Sequence, residues 1–401
     1  MRVELDAKLC EVYGCDQNGQ GSMRQKVRKN RILKRNLRLS ASWCRESIES
    51  NTPKDRSWSS MLNRFIVILL AFVVLLSGLK MHAKEREPLV FIRTIPLSHL
   101  HDGDFDHLAV DIPGRRLFVA AEENSAVEVI DLRTNKLIHS IDGVKAPHSL
   151  LYRADANKLL VVDGGTGQIK IYQGDSLKPI GAIQLELECD SIAIDPVANI
   201  VFVVNGGRST HEPFSFISAV DLATGMKLYD IKVGSGFVDA LSLDKSTGRL
   251  FANFADQNAV GVIDIAKRTV TATWPVGEQA HLNLAMAFDS ARHRLFVVAR
   301  KPAKLLVLNS DSGEIVAGLP CVDMSDDVTY DPASKRLYIA GTDFIDVFQQ
   351  RDADHYDLVG HAPGSFRAKT AILVSEFNQY FVAAPRHLDK MAGVRVYKVK
   401  P

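Results

Sequence analysis

Seven copies of one pattern, in which two apolar runs flank a short polar turn, follow one another between residues 105 and 384. The copies are FDHLAVDIPGRRLFVAA (105–121), PHSLLYRADANKLLVVD (147–163), CDSIAIDPVANIVFVVN (189–205), VDALSLDKSTGRLFANF (238–254), NLAMAFDSARHRLFVVA (283–299), SDDVTYDPASKRLYIAG (325–341) and AKTAILVSEFNQYFVAA (368–384). The position after the first run recurs at gaps of 42, 42, 49, 45, 42 and 43 residues. Such a period indicates repeated units that stack on one another to form a continuous core.

Each unit contains four short segments with the β-branched and aromatic composition of strands, separated by turn residues. Four-stranded units of this length predict an all-β fold, a seven-bladed β-propeller around a central channel. The seventh unit has no fourth strand before Pro401, whereas LVFIRTIPL (89–97) precedes the first unit and resembles the fourth strands KLIHSI and KLYDI. We therefore expect this N-terminal strand to complete and close the last blade, which leaves no open edge at the junction.

The repeats resemble the YVTN-type propeller family, which includes the bacterial YncE-like proteins within the WD40-like repeat superfamily. VFVVN (201–205) is close to the motif that names the family, and DLATGMKLYDIKVG (221–234) is similar to its D-x-x-T-G-K turn and edge strand. The resemblance covers about residues 85–399. It implies the propeller fold but no particular activity, because members of the family differ in function.

The residues before the repeats predict export. Residues 65–79 (FIVILLAFVVLLSGL) form an uncharged apolar run that suits the hydrophobic region of a signal peptide or a signal-anchor helix. We divide the chain into a basic leader without a packed core (1–60), a signal peptide or anchor (61–83) and the propeller (84–401). Either translation starts at Met61, or the leader is real and stays in the cytoplasm. Both alternatives place the propeller in the periplasm or outside the cell, and the membrane is contacted only through 65–79 if that segment is uncleaved.

Charge and cysteine content exclude some classes of protein. Residues 84–401 carry 34 Lys and Arg against 40 Asp and Glu, which argues against nucleic-acid binding through phosphate contacts. The five cysteines have no metal-ligand spacing, and we expect Cys189 and Cys321 to be buried free thiols. We predict no cofactor, with a divalent cation as the open alternative, and we expect a monomer.

The start of the innermost strand in each blade is the first candidate binding position. Five residues before the recurring turn position, the chain has Asp106, His148, Asp190, Asp239, Leu284, Asp326 and Lys369. Six of these seven side chains are ionisable, although the strands that follow them are apolar. They predict a polar ring at the mouth of the channel, able to hold a cation or a polar ligand. The alternative is a hydrated channel without a ligand.

Three loops on the same face supply further candidates. The insertion 205–216 contributes Arg208, His211 and Glu212, and the loop 385–393 contributes Arg386, His387 and Lys390. The segment SHLHDGDFDH (98–107) has the metal-binding residue types, so His99, His101, Asp102 and Asp104 are weaker candidates for a metal site.

No signature of a catalytic site occurs in the sequence. It has no G-x-S-x-G elbow, P-loop, HExxH or CxxCH motif, and GGTG (164–167) reads as a hairpin turn. We favour a non-catalytic binding or scaffold module that presents its loop face to a protein, a peptide or a polar ligand. The alternative is a divalent-metal-dependent hydrolase of the lactonase type, with its site at the channel mouth formed by Asp106, His148, Asp190 and Asp239.

Overall fold

A computed structural model describes residues 87–401, and these residues form seven four-stranded antiparallel sheets, the blades of a propeller. Blade 1 contains β2 (Leu108–Asp111), β3 (Arg116–Ala121), β4 (Ala126–Asp131) and β5 (Lys136–Ile141). Blade 2 contains β6 (Pro147–Arg153), β7 (Lys158–Asp163), β8 (Gln168–Gln173) and β9 (Pro179–Gln184). Blade 3 contains β10 (Ile192–Asp195), β11 (Ile200–Gly206), β12 (Ser215–Asp221) and β13 (Met226–Val233).

Blades 4 to 7 complete the ring. Blade 4 contains β14 (Val238–Asp244), β15 (Arg249–Phe254), β16 (Ala259–Asp264) and β17 (Thr269–Pro275), and blade 5 contains β18 (His281–Asp289), β19 (Arg294–Lys301), β20 (Ala303–Asn309) and β21 (Ile315–Pro320). Blade 6 contains β22 (Asp327–Asp331), β23 (Arg336–Ala340), β24 (Phe344–Gln350) and β25 (Tyr356–Pro363). Blade 7 contains β26 (Ala371–Val374), β27 (Gln379–Ala384) and β28 (Gly393–Val399), together with β1 (Leu89–Pro96). The only helices in 87–401 are three 3₁₀ turns, at Glu122–Asn124, Arg208–Thr210 and Ser375–Phe377.

The last blade takes its outer strand from the start of the described chain. β1 pairs antiparallel with β28, from Leu89 opposite Val399 to Pro96 opposite Gly393. The sheet order of this blade is β1, β28, β27, β26, so its outer strand precedes blade 1 in sequence. Ile95 and Leu97 are buried in a cluster that also contains blade 1 side chains such as Val119.

The core lies between neighbouring blades, because each sheet packs both of its faces against another sheet. The second strands are therefore buried on both sides, and they read as continuous apolar runs instead of alternating ones. In β3, for example, Leu117 to Ala121 are completely buried. In all seven blades the pairing of the third and fourth strands contains a register shift, which increases the local twist of the outer edge.

The alternating strand directions divide the connections between two faces. The mouth face carries the connections between blades and those between second and third strands: 97–107, 122–125, 142–146, 164–167, 185–191, 207–214, 234–237, 255–258, 276–280, 302, 321–326, 341–343, 364–370 and 385–392. The back face carries the hairpin turns: 112–115, 132–135, 154–157, 174–178, 196–199, 222–225, 245–248, 265–268, 290–293, 310–314, 332–335, 351–355 and 375–378. Every first strand thus begins at the mouth face.

The predicted leader and signal or anchor segment (1–83) lie outside the described residues. Within 87–401, no helix is both long and apolar enough to cross a membrane.

Candidate functional site

The candidate site is a cavity of about 180 Å³ where the first strands of all seven blades begin. The predicted ring is brought together there: the lining includes Asp106, His148, Asp190, Asp239, Leu284, Asp326 and Lys369. Backbone hydrogen bonds to the second strand fix two of these positions: the Asp106 N–H donates to the Ala120 oxygen (2.9 Å) and the Asp190 N–H to the Val204 oxygen (3.0 Å). We call this space the mouth cavity.

One side of the mouth cavity is a chain of histidine and carboxylate contacts. His148 Nδ1 lies 2.5 Å from one oxygen of Asp106, and His107 Nε2 lies 3.4 Å from the other. His107 Nδ1 also contacts Asp327 at 3.0 Å. Burial alone would raise the pKa of Asp106, but His107 and His148 outweigh it and hold that pKa well below its usual range. Asp106 is therefore ionised and already neutralised by its neighbours.

The same contacts keep both histidines protonated. Burial would lower the pKa of His148, but Asp190 and Asp106 outweigh it and raise this pKa to about 10. Burial of His107 is likewise outweighed by Asp327 and Asp106, which raise its pKa well above the usual value. The room for the His148 ring comes from Gly164, because a Cβ there would lie 2.6 Å from His148 Cδ2.

A second group of charges joins blades 5, 6 and 7. Lys369 Nζ lies 2.7 Å from one oxygen of Asp326, and the Arg300 guanidinium contacts the other. Lys369 also reaches Asp104 at 3.5 Å. Burial lowers the pKa of Arg300, although Asp239 opposes this effect. Asp326 is therefore neutralised by two cations from neighbouring blades.

Asp190 and Asp239, on neighbouring blades 3 and 4, are different. Among residues 87–401, neither carboxylate has a basic side chain within salt-bridge distance, and Asp239 accepts only a 3.5 Å hydrogen bond from Ser191. Burial, with Asp190 and Asp106 nearby, raises the pKa of Asp239 from 3.8 to about 7. Burial also raises the pKa of Asp190, although the charge of His148 lowers it in part. Asp190 and Asp239 are the ring carboxylates without a direct ion pair in the described chain. Basic groups such as His148, beside Asp190, act on them only from beyond salt-bridge distance.

The loop candidates are dispersed around the mouth face. Arg208 reaches the mouth cavity, where its guanidinium lies 3.6 Å from the centre of the Phe237 ring and Nη2 lies 2.7 Å from Glu188. His211 and Glu212 are exposed on the insertion. Arg386 donates to the carbonyl oxygens of Leu100 and Ser98.

The ring of His387, from the same loop as Arg386, stacks on the ring of Phe366 with centroids 3.9 Å apart. The insertion and the last loop therefore contribute mainly contacts with other loops. Of the six candidates from these two loops, only Arg208 lines the mouth cavity.

The structure does not bring the weaker metal candidates of the first loop together. His99 contacts Glu128 and His101 contacts Asn124, whereas Asp102 and Asp104 face Arg367. Within the described part of the chain, the one group of three or more potential ligands lies elsewhere: Asp106, His148 and Asp190 have donor atoms within 4.8 Å of one another. This spacing fits three ligands of a divalent cation, two through oxygen and one through nitrogen.

Several residues that complete the site were not predicted from the sequence. His107, Glu122, Phe237 and Arg300 also line the mouth cavity. His107 directly follows the ring position, and Arg300 ends a second strand, so a search of one equivalent position per repeat misses both. Glu122 and Phe237 lie in mouth-face connections, where their direction depends on loop conformation.

The channel continues beyond the ring as a cavity of about 250 Å³, which shares His107 and Asp326 with the mouth cavity. Its lining includes the hydroxyl groups of Ser149 and Ser191 and several aliphatic side chains. The cysteines lie outside both linings. Cys189 and Cys321 are free thiols, and Cys189 is completely buried while Cys321 is partly buried.

Comparisons with known proteins give information on the fold alone. No model of a known protein family matches the chain, and no curated protein matches it in sequence. Among solved structures, the chain is similar to Kuenenia stuttgartiensis hydrazine synthase, with a TM-score of 0.60 and 16% identity over 74% of this chain and 96% of that one. This likeness supports the seven-bladed propeller, and the membership of the YVTN-type family stays a prediction.

Proposed function

We propose that the propeller is a binding module whose ligand, a protein, a peptide or a small polar molecule, docks on the mouth face. One observation carries the proposal: seven blades converge on a single cavity in which most ionisable groups form direct ion pairs, whereas the carboxylates of Asp190 and Asp239 form none with residues 87–401. A purely structural ring would pair its charges, since an unpaired buried carboxylate is unfavourable. A ligand that enters the mouth provides the missing partner.

The export signal in the sequence supports a location outside the cytoplasm for this module. Residues 61–83 combine a short basic start with an apolar run, which is the pattern of a signal peptide or anchor. We propose that the module works in the periplasm or outside the cell, as a monomer. N-terminal sequencing of the protein from native membranes and soluble fractions tests cleavage near Ala83.

Site-specific photo-crosslinking tests which face binds. Leu388 on the mouth face and Val197 on the back face are 85% and 88% exposed, so a photoreactive residue at either position is equally accessible. In native extracts we expect specific adducts from position 388 and none from position 197. Adducts from position 197 alone, or equal labelling at both positions, would contradict the proposal.

The second candidate function is divalent-metal-dependent hydrolysis, and the grouping of Asp106, His148 and Asp190 favours it. A divalent ion held there would polarise a substrate carbonyl or lower the pKa of a bound water. Against it, His148 is bonded to Asp106 at 2.5 Å and its pKa is raised to about 10, whereas a ligand imidazole must be deprotonated. Metal analysis of the purified protein separates the two functions, because a stoichiometric ion that is lost in Asp190→Asn supports hydrolysis.

A further inference from the structure

The two faces of the propeller differ in charge. The mouth-face connections contain more than twice as many Asp and Glu residues as Lys and Arg residues, whereas Lys and Arg outnumber Asp and Glu in the back-face turns. Net charge of one sign around a cleft raises the local concentration of oppositely charged partners. The mouth face therefore attracts cations.

The basic residues of the mouth face are largely engaged by the protein itself. Arg208 is bonded to Glu188, Lys369 to Asp326, and Arg367 to Asp102 and Asp104. Arg386 is held by backbone carbonyl oxygens. These pairs orient the loops, and they leave the excess of carboxylates on this face uncompensated.

The mouth cavity, at the centre of this acidic face, is lined by equal numbers of acidic and basic residues, but its side formed by Asp190 and Asp239 suits one long cationic side chain. Asp190 and Asp239 offer carboxylate oxygens to an ammonium or guanidinium group, and Phe237 and Leu284 supply apolar surface for an aliphatic stem. A lysine ammonium has three donors and an arginine has five, so either has enough donors for two carboxylates.

The mouth face also has an apolar component that a free ion would not need. Leu187, Phe366, Leu388 and Met391 are large apolar side chains in mouth-face connections, each exposed by between 39% and 85%. Exposed apolar groups beside complementary charge are typical of surfaces that bind other proteins. We infer that the mouth face binds a basic polypeptide segment that inserts one Lys or Arg side chain between Asp190 and Asp239. This inference rests on the proposed function and names its partner class.

Fluorescence anisotropy with defined peptides tests the inference on the full-length protein. The probes are three labelled decapeptides of one design, in which leucine alternates with lysine, glutamate or glutamine. We expect the lysine peptide to bind at least tenfold more tightly than the glutamine peptide, and the glutamate peptide not to bind. Binding should weaken as salt is raised.

Charge-neutralising variants locate the contact. Asp190→Asn/Asp239→Asn should weaken binding of the lysine peptide at least tenfold, and each single substitution should weaken it less. The matched control is Asp221→Asn/Asp264→Asn, which removes the same charge from the back-face ends of β12 and β16 and should change affinity less than twofold. Thermal unfolding of each variant verifies that it is folded, and the single variants serve if the double variant is not. Equal weakening by both double variants, or by neither, would overturn the inference.

Competition separates the sources of positive charge. If lysine methyl ester or Ca²⁺ alone binds as tightly as the lysine peptide and displaces it, the mouth takes a small cation and the polypeptide assignment is wrong. Failure of this inference is distinct from failure of the proposed function. Adducts at position 388 without binding of the lysine peptide would reject the basic partner but keep the mouth face as the binding face.

Discussion

Aspartates recur at two positions of the repeat, five residues apart, and their carboxylates have different kinds of partner in the structure. At the back face, Asp111 accepts the Gly114 N–H at 2.9 Å and is bonded to Arg116, so its partners come from its own repeat. Asp244 is held in the same way by Ser246, Thr247 and Arg249, which outweigh burial and lower its pKa. At the mouth, Asp106 and Asp326 are paired across blades, and Asp190 and Asp239 have no such cation.

This difference in partners distinguishes the turn aspartates, which serve folding, from the mouth aspartates, to which we assign the proposed function. A turn aspartate with local partners serves its own blade, so its recurrence follows from hairpin chemistry. A mouth aspartate receives no partner from a hairpin turn, and its charge is costly to the fold unless a neighbouring histidine, another blade or a ligand compensates it. Under the proposed function, the mouth position is the one that serves binding, although both positions look equally regular in the sequence.

The largest expected effect tests the structural role of the turn position. Asp111→Ala leaves Arg116 without its carboxylate and the Gly114 N–H without its acceptor, so we expect a loss of about 2–4 kcal/mol in the free energy of unfolding. Urea denaturation measures it. Asp155→Ala, at an exposed ion pair with Arg153, is the control and should unfold close to wild type. Similar stability of both variants would contradict the structural role of the turn aspartate.

Gly164→Ala tests whether the fold depends on the space that Gly164 leaves for the His148 ring at the mouth cavity. A Cβ at this position would lie 2.6 Å from His148 Cδ2 and 2.9 Å from the Cys189 backbone oxygen, so we expect a loss of about 1–3 kcal/mol. The matched control in the same blade is Gly181→Ala, whose added Cβ meets no atom within 4 Å. If both variants unfold alike, His148 is not held by this contact.

The smallest effect concerns pH and distinguishes the two aspartate positions by sign. Because the folded pKa of Asp239 is raised to about 7, its contribution to stability is complete below the unfolded value of 3.8 and is lost as pH rises through 7. Asp239→Asn should therefore melt roughly 1–3 °C higher than wild type at pH 8, and the gain should vanish toward pH 4. Asp244, whose pKa is lowered, should behave oppositely: Asp244→Asn should melt lower at pH 8. Equal signs for the two variants at pH 8 would contradict the account.

The sequence predicts the blades well because their causes are local. Alternating strand and turn residues recur at near-constant spacing, and LVFIRTIPL was assigned as an edge strand by its similarity to other fourth strands, the position that this segment occupies in the structure. The ring positions were also found, because they are equivalent in every repeat. The pairing within the ring was not predictable. His107 and Arg300 reach the cavity from positions that the repeat does not mark, and they determine which carboxylates remain unpaired.

Hydrogen–deuterium exchange of the full-length protein, with and without saturating lysine–leucine peptide, tests the central claim most directly. We predict slower exchange in the mouth-face connections 185–191, 234–237 and 364–370, with the back-face turns 222–225 and 265–268 unchanged. Protection confined to the back-face turns, or no protection at a peptide concentration that saturates the anisotropy signal, would contradict the assignment of binding to the mouth.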